Sequence, residues 1–341
     1  MLVISFEFLV LAAIVALAGT YLARSADQIA EITRLGRLLI GSVLLAAATS
    51  LPELTVDLSA VRQGMPDLAV GDLFGSSLMN LLILAALDLA HRSGGKMLSR
   101  EAAAHALSAI FSIALTAIAT MAILTEPRLP GFSFLGIGIW SWGILVAYLF
   151  GVRMIFLEQR VTARTVAEAE EATEPVAIDN EAFPPPLWKP VVVFSVAALV
   201  ICLTGPRLAH VAGQLAELSG LGKTFVGTTL VALCTSLPEL VASITALRMK
   251  SFDLVIGNLF GSNAFNMLLF LPLDAVHAGS LFADISPSHT VTSLAVILAT
   301  SVAALGQLYH VEKRRRLVEP DALLMLLILG GALFLVYRLS S

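Results

Sequence analysis

The stretch Thr49-Ser50-Leu51-Pro52-Glu53-Leu54 returns unchanged as Thr235-Ser236-Leu237-Pro238-Glu239-Leu240, 186 positions later. Each copy lies inside an apolar run long enough to cross a bilayer, so each half of the chain places a carboxylate at membrane depth. A charged side chain there costs at least roughly 2.5–3.5 kcal/mol and is retained where an ion, a proton or a partner group compensates it. The same register joins Arg62, Asp67, Gly71, Leu73-Phe74-Gly75-Ser76, Asn80 and Asp88 to Arg248, Asp253, Gly257, Leu259-Phe260-Gly261-Ser262, Asn266 and Asp274. Ungapped comparison of 49–88 with 235–274 gives 19 identities in 40 positions, an internal duplication of a two-helix unit.

Composition sets the solvent. Hydrophobic residues make up 57% of the 341 residues and charged ones 13%. With a mean hydropathy of +0.89, this excludes an ordinary soluble globular domain. Apolar stretches near 20 residues predict an all-α integral membrane fold of about ten transmembrane helices. They fall at roughly 3–21, 38–61, 67–90, 103–124, 132–156, 190–210, 224–247, 253–275, 289–308 and 321–338. The first has no basic leader and is followed by Arg24, so it reads as a retained span and not a cleaved signal.

Placing alternate loops in the cytoplasm puts 16 of the Lys and Arg residues inside and 5 outside, which sets both termini on the outer face. An odd number of spans per half then makes the halves inverted repeats, an arrangement found in secondary transporters that alternate access around a midplane site. The expected organisation is a first five-helix repeat over 1–157, an acidic cytoplasmic linker over 158–189 and a second, inverted repeat over 190–341. The linker carries Glu158, Glu168, Glu170, Glu171, Glu174, Asp179 and Glu181 ahead of Pro184-Pro185-Pro186 and reads as a solvated tether. Lys313-Arg314-Arg315-Arg316 reads as a topology anchor.

The chemistry belongs to the duplicated unit. Pro52 and Pro238 lack an N–H and break their helices, freeing backbone oxygens near Ala48 and Cys234. Broken backbone at that depth is tolerated where protein buries it or where it lines a cavity. Thr49, Ser50 and Glu53, and their mates Thr235, Ser236 and Glu239, surround the two breaks. Ser76 and Ser262 follow glycines on the next helix, and Asn80 and Asn266 come one turn later. Two carboxylates among hydroxyl, amide and carbonyl oxygens suit hard cations, with a flexible cage of about six to eight oxygens favouring Ca2+ over Mg2+. Na+ uses the same oxygens. A buried ion pair is the plain alternative for Glu53 and Glu239, but no Lys or Arg lies within either helix; the nearest are Arg62, Lys223 and Arg248 at the ends.

Hydrogen-bond glue between helices is the alternative for the asparagines, and back-bonding to the helix for the hydroxyls. Asp57 and Asp72 are mated with Ser243 and Asn258, so these acids occur in the first half alone. They are candidate proton acceptors or secondary cation ligands. Asp88 and Asp274 fall near helix exits, where interfacial solvation accounts for them. Cys202 and Cys234 read as small core residues, and no cofactor motif, nucleotide loop or catalytic triad is present, which argues against an enzyme. The surroundings implied are the lipid bilayer and the transported cations, with no nucleic acid and no obligate protein partner.

The duplicated Thr-Ser-Leu-Pro-Glu followed by Gly-(Asn/Asp)-Leu-Phe-Gly-Ser resembles the alpha repeats of the cation/calcium antiporter superfamily, in particular the prokaryotic sodium/calcium exchangers. The resemblance implies a multi-pass protein of the prokaryotic cell (inner) membrane that exchanges Na+ for Ca2+ electrogenically, with the first and sixth spans sliding past a stationary core. It implies Glu53 and Glu239 as Ca2+ ligands, Thr49, Ser50, Ser76, Thr235, Ser236 and Ser262 as Na+ and Ca2+ ligands, and Asn80 and Asn266 at the centre. The chain departs from the pattern at Ala48 and Cys234, where glycine is usual, and at Ser77 and Asp72, where asparagine is frequent. Some exchangers carry Asp at the position of Asn266, so coupling through H+ at Asp57 or Asp72 stands as the alternative. A cation channel would need no counter-ion. An intramembrane protease would need a second aspartate on the facing helix, where the repeat mate of Asp72 is Asn258.

Overall fold

An apolar stretch without proline carries helix α1 from Leu2 to Thr33, and the chain reverses at Arg34 and Gly36, whose φ values are 55° and 86°. The computed structural model describes residues 2–90, 102–128, 132–171, 186–218, 232–308 and 320–340. Helix α2 (Arg37–Thr49) contains a π-helical turn over Ile40–Leu45. At Ser50 (φ −87°, ψ 12°) the chain bends by 44° into α3 (Leu51–Arg62). Pro52 stands in the first turn of α3, where its missing N–H is tolerated. Gly64 (φ 75°) turns the chain into α4 (Pro66–Ala90).

Helix α5 (Ala102–Thr125) leads to a two-residue hairpin, Ser133–Phe134 against Ile137–Gly138, and then to α6 (Ile139–Glu171). The second half contains α7 (Trp188–Leu218), α8 (Leu237–Arg248), α9 (Phe252–Leu268), α10 (Phe270–Val276), the short α11 (Leu281–Asp284), α12 (His289–Leu308) and α13 (Pro320–Ser340). Residues 232–235 are helical, and Ser236 (φ −80°, ψ 4°) breaks the chain before α8 just as Ser50 does before α3.

Among the described residues, seven helices are long and apolar enough to cross a membrane, and the bent pair α2–α3 makes an eighth. An all-α membrane protein follows. The fifth span was expected from 132, but the hairpin comes first and the helix starts at Ile139. The segment expected to act as a linker from 158 is still helical through Glu171, because Val161 to Glu171 contains no glycine or proline to stop α6. The remainder of the linker at 172–185, the start of the seventh expected span and the basic run at 313–316 lie outside the described residues.

Packing follows the repeat. Helix α1 lies along its mate α7; α1 also rests on α8, and α7 rests on α3. One contact is thus made twice by equivalent elements. Helices α4 and α9 are the most buried spans, while α1, α6 and α7 turn apolar side chains such as Phe6, Leu9, Phe150 and Leu199 outward. Helix α2 crosses α9 closely: a Cβ on Gly257 would stand 2.6 Å from the Leu38 carbonyl oxygen, and one on Gly261 would run into the Ser42 backbone. Small residues at such crossings let membrane helices approach backbone to backbone.

Acids mark the ends of the core helices. Asp67 at the start of α4 meets His289 Nε2 of α12 at 3.0 Å, and its mate Asp253 at the start of α9 meets His105 Nε2 of α5 at 2.7 Å. Asp274 corrects the expectation of simple solvation. It is 1% exposed and accepts from Gly138 N at 2.8 Å, Ser141 Oγ at 2.7 Å and Leu281 N at 3.2 Å. A carboxylate beside the first turns of α6 and α11 satisfies donors that have no partner within their own helices.

Candidate cation site

Both helix breaks point their hydroxyls and carboxylates inward, against α4 and α9. All ten side chains singled out from the motifs, Thr49, Ser50, Glu53, Ser76, Asn80, Thr235, Ser236, Glu239, Ser262 and Asn266, are buried, none more than 1% exposed. The contacts repeat across the halves. Ser76 Oγ donates to Glu53 Oε1 at 3.2 Å, and Ser262 Oγ to Glu239 Oε1 at 3.4 Å. Ser76 Oγ lies 3.3 Å from Thr235 Oγ1, and Ser262 Oγ lies 3.4 Å from Thr49 Oγ1. Thr49 and Thr235 each bond back to the carbonyl three residues earlier, Ala46 and Ala232, at 3.2 Å. Every link between Ser76 and Thr235 or between Ser262 and Thr49 joins one half of the chain to the other.

The symmetry fails at the second serine of each motif. Ser50 Oγ donates to Glu239 Oε1 at 3.2 Å, whereas Ser236 Oγ reaches no partner among the described residues. The asparagines use their amide nitrogens across the repeat interface, Asn80 Nδ2 to Asn263 Oδ1 at 3.0 Å and Asn266 Nδ2 to the Leu73 carbonyl at 3.4 Å. Among the described residues their Oδ1 atoms are left unpartnered, as are Glu53 Oε2 and Glu239 Oε2. Native proteins pair more than about 90% of buried polar groups. Oxygens that escape pairing, with no salt bridge to a basic side chain among the described residues, have the chemistry of a candidate cation donor set.

Among the described residues no salt bridge reaches Glu53 or Glu239, so the ion-pair alternative has no partner there. Nor, among the described residues, do three or more His, Cys, Asp and Glu side chains form a group that could hold a metal ion by themselves. The donor set rests on two carboxylates supplemented by hydroxyl and amide oxygens, a hard-cation environment.

Two residues escaped the sequence reading. Asn263 is fully buried; it accepts from Asn80 and donates to the Ser77 carbonyl at 3.3 Å. Asn258 places Oδ1 3.3 Å from Thr49 Oγ1 and donates Nδ2 to Ser243 Oγ at 3.1 Å. Their signal was present in the run Gly257-Asn258-Leu259-Phe260-Gly261-Ser262-Asn263, but their repeat mates are Asp72 and Ser77, so identity between halves passed over them.

The family model for the sodium/calcium exchanger protein matches residues 5–154 and 189–338, one segment on either side of the central stretch. The sodium/calcium exchanger MaX1 of Methanosarcina acetivorans is 26% identical over 303 residues, covering 84% of this chain and 87% of its own length. The inner membrane protein YrbG of Escherichia coli is 28% identical over 249 residues, covering 70% of this chain and 69% of its own length. The solved structure of the sodium-calcium exchanger NCX_Mj soaked with 10 mM Na+ and zero Ca2+ has the same fold, with a TM-score of 0.68 at 18% identity over 98% of this chain and 99% of that one. The chain belongs to the sodium/calcium exchanger family.

Proposed function

We propose that this protein is a Na+-driven Ca2+ antiporter of the prokaryotic cell membrane, exporting Ca2+ by alternating access. In this reading ten spans form two inverted five-helix repeats with both termini outside, in keeping with the distribution of Lys and Arg. Glu53 and Glu239 hold Ca2+. Thr49, Ser50, Ser76, Thr235, Ser236 and Ser262 serve Ca2+ and Na+, and Asn80 and Asn266 turn their Oδ1 atoms to the centre. One observation carries the proposal: carboxylates from the two halves share a buried hydroxyl cluster, and each keeps an oxygen that has no partner among the described residues. Binding one ion across both halves links its occupancy to their relative position, as exchange requires.

Proton coupling is the second reading, favoured by Asn266 in place of an acid and by the additional pair Asp57 and Asp72. Reconstituted protein in Na+-loaded vesicles should take up Ca2+ when Na+ is diluted outside, and Glu53→Gln should abolish the uptake. Uptake driven by a pH gradient without Na+ would move the assignment to H+, and no Ca2+ movement under either gradient would sink it.

A further inference from the structure

The connection between α5 and α6 carries apolar side chains where loops ordinarily carry polar ones. Arg128 and Arg153 bracket a stretch with no Asp, Glu, Lys, Arg or His. Within it Phe132 is 71%, Phe134 53% and Leu135 77% exposed. Leu135 and Gly136 form the tip of the hairpin with φ values of 55° and 78°, a two-residue turn in which both central residues take positive φ and Asn-Gly is the favoured pair. A leucine at that tip is unfavourable in conformation and, if it stood in water, in solvation as well.

The hairpin is held in place from two sides. Gly138 N and Ser141 Oγ donate to Asp274 Oδ2 at 2.8 Å and 2.7 Å. Trp142 Nε1 donates to the Phe134 carbonyl at 3.1 Å, and the two rings lie 5.9 Å apart. The exposed apolar patch continues without a charged residue into Ile139, Val146 and Phe150, which share one outward face of α6. A rise of about 1.5 Å per residue makes α6 from Ile139 to Leu157, the last apolar residue before Glu158, about 27 Å long. That is close to the roughly 30 Å of a bilayer's hydrocarbon core, so the residues ahead of Ile139 come at the level of the headgroups, where aromatic belts form.

We propose that this hairpin is an interfacial anchor, with Phe132, Phe134, Leu135 and Trp142 set into the headgroup layer of the bilayer at the end where α5 meets α6. Lipid is the occupant because the patch runs into the outward face of α6 with no polar rim between them, whereas a docking site for a second protein has such a rim. Lipid also accounts for Leu135, since an apolar side chain at the tip of the turn is stabilised by reaching the acyl boundary. The anchor is independent of which cations the protein exchanges.

A nitroxide attached to Leu135→Cys, in protein reconstituted into liposomes, reads the depth of the tip. Cys202→Ala removes the half-buried thiol, and Cys234 is 5% exposed and out of reach of the label. Arg128→Cys, at an exposed charged position just before the loop, marks the water side. Relative to that reference, the label at 135 should gain collisions with molecular oxygen, which concentrates in lipid, and lose collisions with a water-soluble nickel chelate. Chelate collisions as frequent as at 128 overturn the proposal, because the hairpin then stands in water. A label shielded from both reagents overturns it too, because protein, such as a second copy of the chain, then covers the hairpin. Phe132→Cys repeats the measurement ahead of the first strand, and an unfolding scan of each variant restricts the comparison to folded protein. Neither reading uses Ca2+ movement, so failure of the antiport reading leaves this test intact.

Discussion

Ser50 of the first half donates to Glu239 of the second at 3.2 Å, while its mate Ser236 donates to nothing among the described residues. The two motif serines therefore differ in what they do before any ion binds. In ion-free buffer, Ser50→Ala should lower stability by about 1.5–3 kcal/mol, the range for a hydrogen bond to a charged group, and Ser236→Ala by less than about 0.5 kcal/mol. Both should reduce the rise in melting temperature that Ca2+ brings, since both hydroxyls are proposed ligands. Thermal unfolding in detergent with and without Ca2+ reads both effects, and equal ion-free losses would refute the asymmetry.

Gly261 and Gly75 are repeat mates in unequal surroundings. A Cβ on Gly261 would collide with the Ser42 backbone, which cannot rotate away, whereas one on Gly75 would stand 3.4 Å from the Ala232 Cβ. Gly261→Ala should destabilise by about 1–3 kcal/mol, as overpacking does. Gly75→Ala should be close to neutral. Chemical denaturation of the two variants side by side decides the matter, and a tolerated Gly261→Ala would mean that α2 and α9 separate easily.

The Asp–His pairs made by the repeat mates Asp67 and Asp253 predict another contrast. The His105 side chain is 3% exposed and Asp253 27%, while His289 is 14% exposed and Asp67 56%. Asp253→Asn should cost about 1–3 kcal/mol, because it weakens the contact of a buried ring, and Asp67→Asn less than about 1 kcal/mol, because water replaces the lost contact. Melting temperatures of the two variants give the ranking directly.

The hexapeptide pair was enough to place the helix breaks, the buried carboxylates and the equivalence of α3 with α8, because proline and buried charge are constraints that few other structures satisfy. What the sequence did not reveal are contacts whose partners lie far along the chain. Asn263 and Asn258 matter through Asn80, Ser77, Thr49 and Ser243, and nothing local marks them as bridges. Asp274 looked like an interfacial acid until the hairpin and the starts of α6 and α11 gathered around it. The extension of α6 to Glu171 was hidden by hydropathy, which ends a span where charge begins although the helix has no reason to stop.

Gly205 of α7 faces Pro52 at the first break, and its mate Gly19 of α1 faces the second, where a Cβ would stand 3.3 Å from the Val241 Cβ and 3.5 Å from the Pro238 carbonyl. On Gly205 that added atom would be 2.6 Å from both Cβ and Cγ of the Pro52 ring. If α1 and α7 slide over the site, as the family resemblance implies, these glycines are the smooth points of the track, and a methyl group on one raises the barrier to passage without touching an ion ligand. Gly205→Ala should therefore slow Ca2+ exchange by about 10-fold or more, equivalent to about 1.4 kcal/mol of barrier, while equilibrium Ca2+ affinity stays within about threefold. Gly19→Ala should slow it less, because the Val241 side chain can yield by a few tenths of an ångström and a proline ring cannot. Exchange rates in vesicles set beside Ca2+ binding in detergent separate the two effects. A fall in affinity matching the fall in rate would place Gly205 in the binding structure instead of on a sliding surface.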